Sequence, residues 1–522
     1  MPLRYPLFAL LILMLVLALP STAAAQSASP PQDPQSAAGQ PAQPPGSQAA
    51  DVMTCTSRIG ERIQCTADTS GGVALVRSRG AAPCLFGDSW GFDANGIWVA
   101  DGCSGVFLLG RVAQVPTQVT EVKQTAPSHV PNAGFLLFNG EQGQVYFRLF
   151  SYARYLNQRN LDPTYVDAFG NTKTVQQRQD IQLQKFFAPF SGWFLDPRFR
   201  YYLYVWSSNA SQGDPAQVVG AGNLSWTFNR FVTAGAGITS LPSTRSTEGQ
   251  FPYWLGVDNR LIADEFFRGS YTSGAWLKGE IAANVKYFVM VGNNLSTLGV
   301  SAAQLDNGLN TVSTSVQWLP RTGEFGLYGT FGDYDYHQKL ATRVGAHFTH
   351  SVEDKQSQPG TDAIENSQIR LTDGSSIFTP NLFGPATTVE KVTYKMVSLD
   401  AGFKKKGISV EGEYYWRWLD NYVGVNISGV PNISDLGYQL QTSAMPIPKI
   451  LQGYFSWSQV FGEYGDPWEV RGGTNWYFLK QRGVRLNTEL MHVNRSPVGY
   501  TNYPYPVGAN GNVIHINLEM NF

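Results

Sequence analysis

The chain has 522 residues with 38 Lys+Arg and 39 Asp+Glu, a formal net charge of −1 that favours neither nucleic acid nor another polyanion as partner. Charged residues make up only 15%, below the roughly 25% of a typical soluble domain. The mean hydropathy of −0.19 excludes a helical membrane protein. Aromatic residues at 13% and 53 glycines are typical of a β-barrel whose strands face lipid on one side and water on the other.

The first 50 residues are predicted to precede any folded domain. Residues 1–25 have the pattern of a secretory signal peptide, with Arg4 as the charged flank, an apolar core from Leu7 to Leu19, and Ala25 closing a small-residue cleavage site. An uncleaved anchor is the alternative, but the apolar core is short for a span of about 20 residues. Residues 26–50 are rich in Pro, Gln, Ser, Ala and Gly, which predicts a disordered linker.

All four cysteines lie in residues 51–110, which predicts a small domain held by two disulfides. Three pairings are compatible with Cys55, Cys65, Cys84 and Cys103. We favour Cys55–Cys65 and Cys84–Cys103, because each closes one short loop. A zinc site is the rival interpretation, but this segment contains no Cys-x-x-Cys spacing and no His.

The second half of this segment carries Asp88-Ser89-Trp90-Gly91-Phe92, then Gly96-Ile97-Trp98-Val99 and Gly102-Cys103. Over about residues 52–108 it resembles a small Cys-containing exported domain of unknown function. Trp90 and Trp98 are candidates for a sugar-binding face, although a buried core role is the more frequent one for Trp. An anchored protein whose N-terminal domain engages peptidoglycan, sugar or another envelope partner is therefore the alternative function.

Residues 111–143 are predicted to be a connector, and residues 144–522 to be one all-β, antiparallel transmembrane barrel. Phe199, Tyr201, Leu203 and Val205 alternate with Arg198, Arg200, Tyr202 and Tyr204. A soluble sandwich also alternates, but rarely over so long a stretch. Aromatic residues at strand ends suit membrane-interface girdles, namely Trp193, Trp206, Trp318, Trp416, Trp418, Trp457 and Tyr477.

The strand number is predicted to be 16 or 18. Tight turns are expected at residues 320–323, 404–407 and 480–483, and long links at 157–175, 240–271, 293–309, 353–390, 420–436 and 494–511. Counting strands from both ends leaves a gap that an additional strand near residues 366–378 would fill, giving 18. Without that strand the number is 16.

The last strand alternates strictly, with Ile514, Ile516, Leu518, Met520 and Phe522 apolar and the residues between them polar. It resembles the closing strand of an outer-membrane barrel, whose terminal aromatic residue serves as an assembly signal in that class.

Two stretches resemble the phosphate-selective porin O and P superfamily. The first runs through Gln182 to Phe187, Gly192-Trp193-Phe194-Leu195-Asp196-Pro197 and Tyr202 to Asn209, and the second through Phe403-Lys404 and Glu411-Gly412-Glu413-Tyr414-Tyr415. The resemblance covers about residues 144–522. It implies a homotrimeric, water-filled barrel with an inward-folded loop, and phosphate or other anions as solutes.

The candidate constriction loop is residues 241–270, because it is the long gap after the fifth strand. It carries three basic and four acidic residues, which predicts weak selectivity for small hydrophilic solutes rather than an anion trap. The predicted pore-lining residues of this loop are Arg245, Glu248, Asp258, Arg260, Asp264, Glu265 and Arg268. Candidates for the pore wall lie at polar positions of the strand alternation or at strand ends, namely Arg148, Arg154, Arg198, Arg200 and Arg230.

No enzyme, cofactor or metal is predicted, since His337, His347, His350, His492 and His515 are scattered and neither Gly-x-Ser-x-Gly nor His-Glu-x-x-His occurs. The cluster Asp333-Tyr334-Asp335-Tyr336-His337 is interpreted as a solvated turn. We expect a porin in the outer membrane of a Gram-negative bacterium, in contact with lipid. Its N-terminal domain is expected in the periplasm, within reach of the cell wall.

Overall fold

The computed structural model describes residues 51–70, 72–78, 80, 82–109, 129–130, 133–208, 217–249, 251–297, 308–357, 369–499 and 503–522. The chain divides into two compact units, residues 1–116 and 117–522. The predicted signal peptide, the predicted linker and part of the predicted connector, residues 111–128 and 131–132, lie outside the described residues.

The N-terminal unit contains two three-stranded antiparallel sheets, in the orders β1-β6-β3 and β2-β5-β4. Its strands are β1 Asp51–Thr56, β2 Arg62–Cys65, β3 Val73–Ser78, β4 Trp90–Asp93, β5 Gly96–Ala100 and β6 Ser104–Leu109. The structure contains the favoured disulfides, Cys55–Cys65 and Cys84–Cys103. Trp90 packs in the core with Val99 and Phe107, and the Trp98 ring lies 3.8 Å from the Arg62 guanidinium carbon.

The second unit is built almost entirely of antiparallel strands. They are β7 His129–Val130, β8 Gly134–Gly140, β9 Gly143–Phe147, β10 Phe150–Leu161, β11 Thr164–Val166, β12 Thr172–Thr174, β13 Gln179–Phe194, β14 Asp196–Ser208, β15 Gln217–Thr227, β16 Thr233–Ser240, β17 Tyr271–Ala282, β18 Val285–Gly292, β19 Thr311–Trp318, β20 Ala341–Asp354, β21 Thr388–Lys405, β22 Ile408–Val425, β23 Ile433–Ile447, β24 Leu451–Phe461, β25 Trp468–Trp476, β26 Val484–Asn494 and β27 Gly511–Asn521. Among the described residues, the helical segments are α1, Ile262–Phe267, and short 3-10 turns at Arg245–Thr247, Leu327–Gly329 and Ile427–Gly429. No helix of the described residues is long and apolar enough to cross a membrane.

Sixteen strands, β10 and β13–β27, form a closed barrel, because β10 pairs with both β13 and β27. The small strands β8 and β9 extend the first strand, with β9 pairing to the end of β13. We call the end at which β10 begins and β27 finishes the seam end, and the opposite end the loop end. Phe522 completes the closure by exchanging backbone hydrogen bonds with Leu149.

The polarity of the barrel follows the alternation that the sequence predicts. On β27 the side chains of Ile514, Ile516, Leu518 and Met520 are exposed on the outer face, whereas His515, Asn517 and Glu519 are buried inside. On β14, Leu203 and Val205 are exposed outside and Tyr204 is buried inside. Of the aromatic residues assigned to girdles, Trp318 and Trp418 are exposed, but Trp206 and Tyr477 are buried.

The additional strand expected near residues 366–378 is wrong. Strand β20 pairs directly with β21, from Ala341 opposite Lys404 to Asp354 opposite Lys391, so no strand lies between them. The apolar residues Ile369, Leu371 and Ile377 suggested a strand, but they pack in a core that loop residues and inward-facing strand residues form together. The number of barrel strands is therefore 16.

The predicted turns have different lengths in the structure. Strands β21 and β22 are joined by Lys406 and Gly407, both with positive φ, as a two-residue hairpin requires. The turn at residues 320–323, by contrast, is only the start of a long connection from 319 to 340. This connection enters the barrel and contributes to the site described next.

Candidate functional site

Residues 241–270, here called the inward loop, fold from the loop end into the barrel. Leu241, Val257, Ile262 and Phe267 are fully buried in the barrel interior. The Phe267 ring stacks on the Tyr415 ring of β22 with centroids 5.2 Å apart. A Cβ at Gly437 of β23 would lie 2.3 Å from the Phe267 ring, so glycine is needed at this contact. The position of the inward loop is thus fixed by apolar packing.

Three wall arginines bind the backbone of the inward loop. Arg154 of β10 donates to the carbonyl of Val257 at 2.6 Å, and Arg471 of β25 donates to that of Arg260 at 2.6 Å. Arg485 of β26 donates to the carbonyls of residues 254, 255 and 256 at 3.0–3.3 Å. These guanidinium groups hold the loop and are buried, so they offer little charge to a solute.

Every charged residue predicted on the inward loop is paired, and all of them except the half-buried Glu248 are buried. Arg245 pairs with Glu411 at 2.8 Å, Glu248 with Arg343 at 2.6 Å, and Asp258 with Lys185 at 3.1 Å. Glu265 accepts two hydrogen bonds from Arg268, at 2.7 and 2.8 Å. Arg260 lies 3.8 Å from Asp264 and 3.6 Å from Glu265. The loop charges are therefore compensated either within the loop, as for Arg260, Glu265 and Arg268, or by charges on the barrel wall.

Residues 319–340, here called the re-entrant segment, enter the barrel from the seam end and meet the inward loop. Lys404 of β21 donates to the carbonyls of Phe325, at 2.9 Å, and of Thr330. Arg245 of the inward loop donates to the carbonyl of Gly329. The backbone amide of Phe331 donates to the carbonyl of Tyr253 at 3.2 Å. Two chain segments from opposite ends thus occupy the same side of the lumen.

The re-entrant segment is held by an ionic cluster around His337. Its Nδ1 contacts Asp333 and its Nε2 lies 2.9 Å from Glu324. Burial alone would lower the pKa of His337, but the hydrogen bonds to both carboxylates outweigh it and raise the pKa to about 9. The hydrogen bond from His337 lowers the pKa of Glu324 to about 2. Within the described ranges, no group of three or more His, Cys, Asp or Glu residues could hold a metal ion.

The two inward segments leave the opposite wall accessible. The inward-facing residues of β20–β27 are buried, among them Arg343, Glu411, Glu469 and Glu519. Across the barrel, Arg200 of β14, Lys278 of β17 and Lys286 of β18 share the inward face and are exposed. We call these three residues the cationic wall. In the part of the chain that the structure describes, none of the three forms an ion pair. The water-accessible lumen at the seam end thus runs along β14–β18.

The other predicted wall residues have different surroundings. Arg148 faces the lumen, where it donates to Tyr253 Oη at 3.1 Å and to Asn521 Oδ1 at 2.9 Å. Arg198 is exposed and paired with Asp196 at 2.7 Å. Arg230 lies in the exposed turn between β15 and β16, at the seam end, beside the Phe231 ring.

The sequence interpretation missed Lys278 and Lys286. A signal was present, because Trp276, Lys278 and Glu280 alternate with the apolar Ala275, Leu277 and Ile281. In the structure the ammonium of Lys278 lies 4.9 Å from the Trp276 ring centroid. Glu280 stands directly opposite Lys286 and reduces the net charge of this wall.

The comparison with protein-family models gives a match in the N-terminal region of the chain. A family model described as a protein of unknown function (DUF3011) matches residues 52–130, which agrees with the resemblance stated for that segment. No curated protein sequence matches the chain.

The chain is similar to solved structures of outer-membrane proteins, of which three follow. The outer-membrane expressed OmpT of Vibrio cholerae is 12% identical, with 74% of this chain and 100% of that chain covered and a TM-score of 0.45. The anion-selective porin from Comamonas acidovorans is 10% identical over 73% and 99%, with a TM-score of 0.43. The outer membrane channel DcaP of Acinetobacter baumannii is 9% identical over 74% and 99%, with a TM-score of 0.45. At TM-scores below 0.5 these similarities assign neither a family nor a solute to this chain.

Proposed function

We propose that the barrel is an outer-membrane channel for passive diffusion of small hydrophilic solutes, without enzymatic activity and with a weak preference for anions. The observation that carries the proposal is the inverted polarity of a closed barrel, apolar outside and polar inside. Soluble proteins bury their apolar side chains, whereas a barrel in lipid exposes them.

The outer face supports placement in a membrane. Leu399, Leu440, Leu490 and Ile516 belong to four different strands and are all exposed. A monomeric soluble protein rarely exposes an apolar patch larger than a few hundred Å². Apart from the re-entrant segment, the links at the seam end are short, which favours the periplasmic side for that end. The chain enters the barrel there, so this proposal places the N-terminal unit in the periplasm.

The cationic wall supports the anion preference. In water, the interaction energy between a unit charge and a monovalent ion about 8 Å away is about 0.5 kcal/mol. Screening at 0.1 M salt reduces this energy to about half. Each unpaired lysine therefore changes the ratio of local chloride to potassium about twofold. Glu280 opposes this effect, so we expect weak rather than strict selectivity. Phosphate is one anion that this wall would attract.

The reversal potential in a planar bilayer under a tenfold KCl gradient tests the proposal. The variant Lys278→Gln/Lys286→Gln should lower the chloride-to-potassium permeability ratio about three- to fivefold. The matched control is Lys405→Gln/Lys480→Gln, which removes two exposed lysines at the seam end that do not face the lumen. An unchanged reversal potential in the first variant would remove the cationic wall from the proposal. Folded protein that does not conduct KCl would contradict the channel itself.

The homotrimer implied by the family resemblance stays a prediction. Chemical cross-linking of the protein in native membranes, followed by denaturing electrophoresis, measures the subunit number.

Binding of the N-terminal unit to the cell wall also stays a prediction. Of the two tryptophans considered for a sugar-binding face, Trp90 is buried in the core of that unit. Trp98, which lies beside Arg62, is partly accessible.

A further inference from the structure

The inward loop and the re-entrant segment meet at a pair of tyrosines beside the accessible lumen. The rings of Tyr253 and Tyr328 are 6.3 Å apart between centroids and inclined by only 20°. Tyr253 is almost fully buried, whereas 51% of Tyr328 is exposed. Tyr328 therefore presents an aromatic face to the lumen, at the only place where segments from the two barrel ends stack ring on ring among the described residues.

The backbone holds Tyr328 in this position at a conformational cost. Its φ is +51°, in the left-handed region that a bulky residue rarely adopts, and it stands between Gly326 and Gly329, which also have positive φ. Such conformations persist only where the surroundings enforce them, and they concentrate at functional sites. Here the surroundings are the hydrogen bonds from Lys404 and Arg245 to the carbonyls that flank Tyr328.

A cation without a carboxylate partner stands beside the two rings. Arg148 donates through Nη2 to Tyr253 Oη, and its guanidinium carbon lies 5.8 Å from the centre of that ring. Arg148 forms no ion pair within the described part of the chain and is partly exposed. Since Tyr253 Oη accepts from Arg148, the hydroxyl proton of Tyr253 remains able to donate. The partly exposed guanidinium of Arg148 thus lies at the hydroxyl end of Tyr253, whose ring packs against the exposed ring of Tyr328.

Building on the proposed channel function, we propose that Arg148, Tyr253 and Tyr328 form a subsite for organic anions that combine a carboxylate with a flat aromatic ring. The carboxylate binds the guanidinium and the hydroxyl, and the ring stacks on Tyr328. A small hydrated anion such as acetate or inorganic phosphate uses the first contact but gains nothing from the second. The cationic wall concentrates any anion, and this subsite distinguishes among anions.

Block of the chloride current through the full-length protein tests this inference. Potassium benzoate is titrated into KCl in a planar bilayer, and potassium acetate and potassium phosphate serve as comparison salts. In the wild-type channel the half-blocking concentration of benzoate should be at least tenfold lower than that of acetate or phosphate. Equal block by all three anions overturns the subsite, whereas absence of KCl conductance from folded protein overturns the channel function as well.

Tyr328→Gly removes the ring while glycine accepts the positive φ without strain. The tenfold advantage of benzoate should disappear in this variant and persist in Tyr328→Phe. Tyr336→Gly is the matched control, because Tyr336 also has positive φ, +59°, in the same segment but lies beside Gly407. Heat-modifiable gel migration verifies folding of each variant. A benzoate advantage that survives in Tyr328→Gly, or that is lost equally in Tyr336→Gly, contradicts the assignment.

Discussion

A lysine on the outer face should destabilise the barrel according to its depth along a strand. Ile516 is at the middle of β27, which spans Gly511–Asn521, and its exposed side chain faces outward. Five residues at about 3.3 Å each, on a strand tilted by about 40°, place it about 13 Å from either strand end. That distance is half of an apolar band about 25 Å tall, so Ile516 should lie at the bilayer midplane.

Ile516→Lys should therefore cost about 2–4 kcal/mol, which lowers the folding equilibrium constant about 30- to 1,000-fold. Leu518→Lys should cost less, because Leu518 is closer to the seam end. Asn512→Lys, on the same face one residue from the loop end of β27, should cost about 0–1 kcal/mol and is the matched control.

Urea unfolding of the protein refolded into phospholipid vesicles measures these free energies. Equal destabilisation by lysine at residues 516 and 512 would refute the depth argument and, with it, the membrane placement.

Assembly in the cell adds a second readout. Deletion of Phe522 should reduce the amount of protein in the outer membrane, because its backbone hydrogen bonds with Leu149 close the barrel at the seam end.

Two further predictions concern the inward segments. His337 should titrate with a pKa near 9 by NMR, and since this exceeds its ordinary 6.5, its contribution to stability is complete below about pH 6.5 and lost as the pH rises through 9. Glu324 should retain its contribution to stability above about pH 4.5 and lose it as the pH falls through 2. A titration midpoint of His337 near 6.5 would contradict the ionic cluster. Gly437→Ala should destabilise the protein by about 1–3 kcal/mol, since its Cβ would overlap the Phe267 ring. Gly453→Ala on the neighbouring strand, where nothing lies within 4 Å of the new Cβ, should be close to neutral in the same unfolding assay.

The barrel itself could be predicted from the sequence because its pattern is local. On β27 every second residue from Ile514 to Met520 faces outward, as the period-two pattern requires. The disulfide pairing followed from proximity of the cysteines in the chain. The strand number could not be fixed in the same way. Ile369 and Ile377 are apolar in a strand-like pattern, but their partners are loop residues distant in sequence, such as Val498 and Tyr505.

The site was only partly predictable for a related reason. The length and position of residues 241–270 were enough to infer a candidate constriction loop. Which of its charges face a solute could not, because Arg268 meets Glu265 within the loop while Arg245 meets Glu411 on a strand far away in sequence. The involvement of residues 319–340 left no signal in the hydrophobic pattern, since a tight turn at 320–323 and a long inward segment begin with the same residues.

The distribution of pairing explains how a nearly neutral barrel can favour one sign of charge. Residues 144–522 carry 31 basic and 30 acidic residues, so their sum predicts no preference. Wherever the inward loop and the re-entrant segment fill the lumen, low dielectric makes an unpaired charge costly, and bases such as Arg343 and Arg417 are paired with Asp400 and Asp435. Water reaches the wall of β14–β18, where unpaired charge is tolerated. For the proposed channel we therefore expect selectivity to depend on the few residues on the side of the lumen that the two segments leave open, rather than on the charge of the whole barrel.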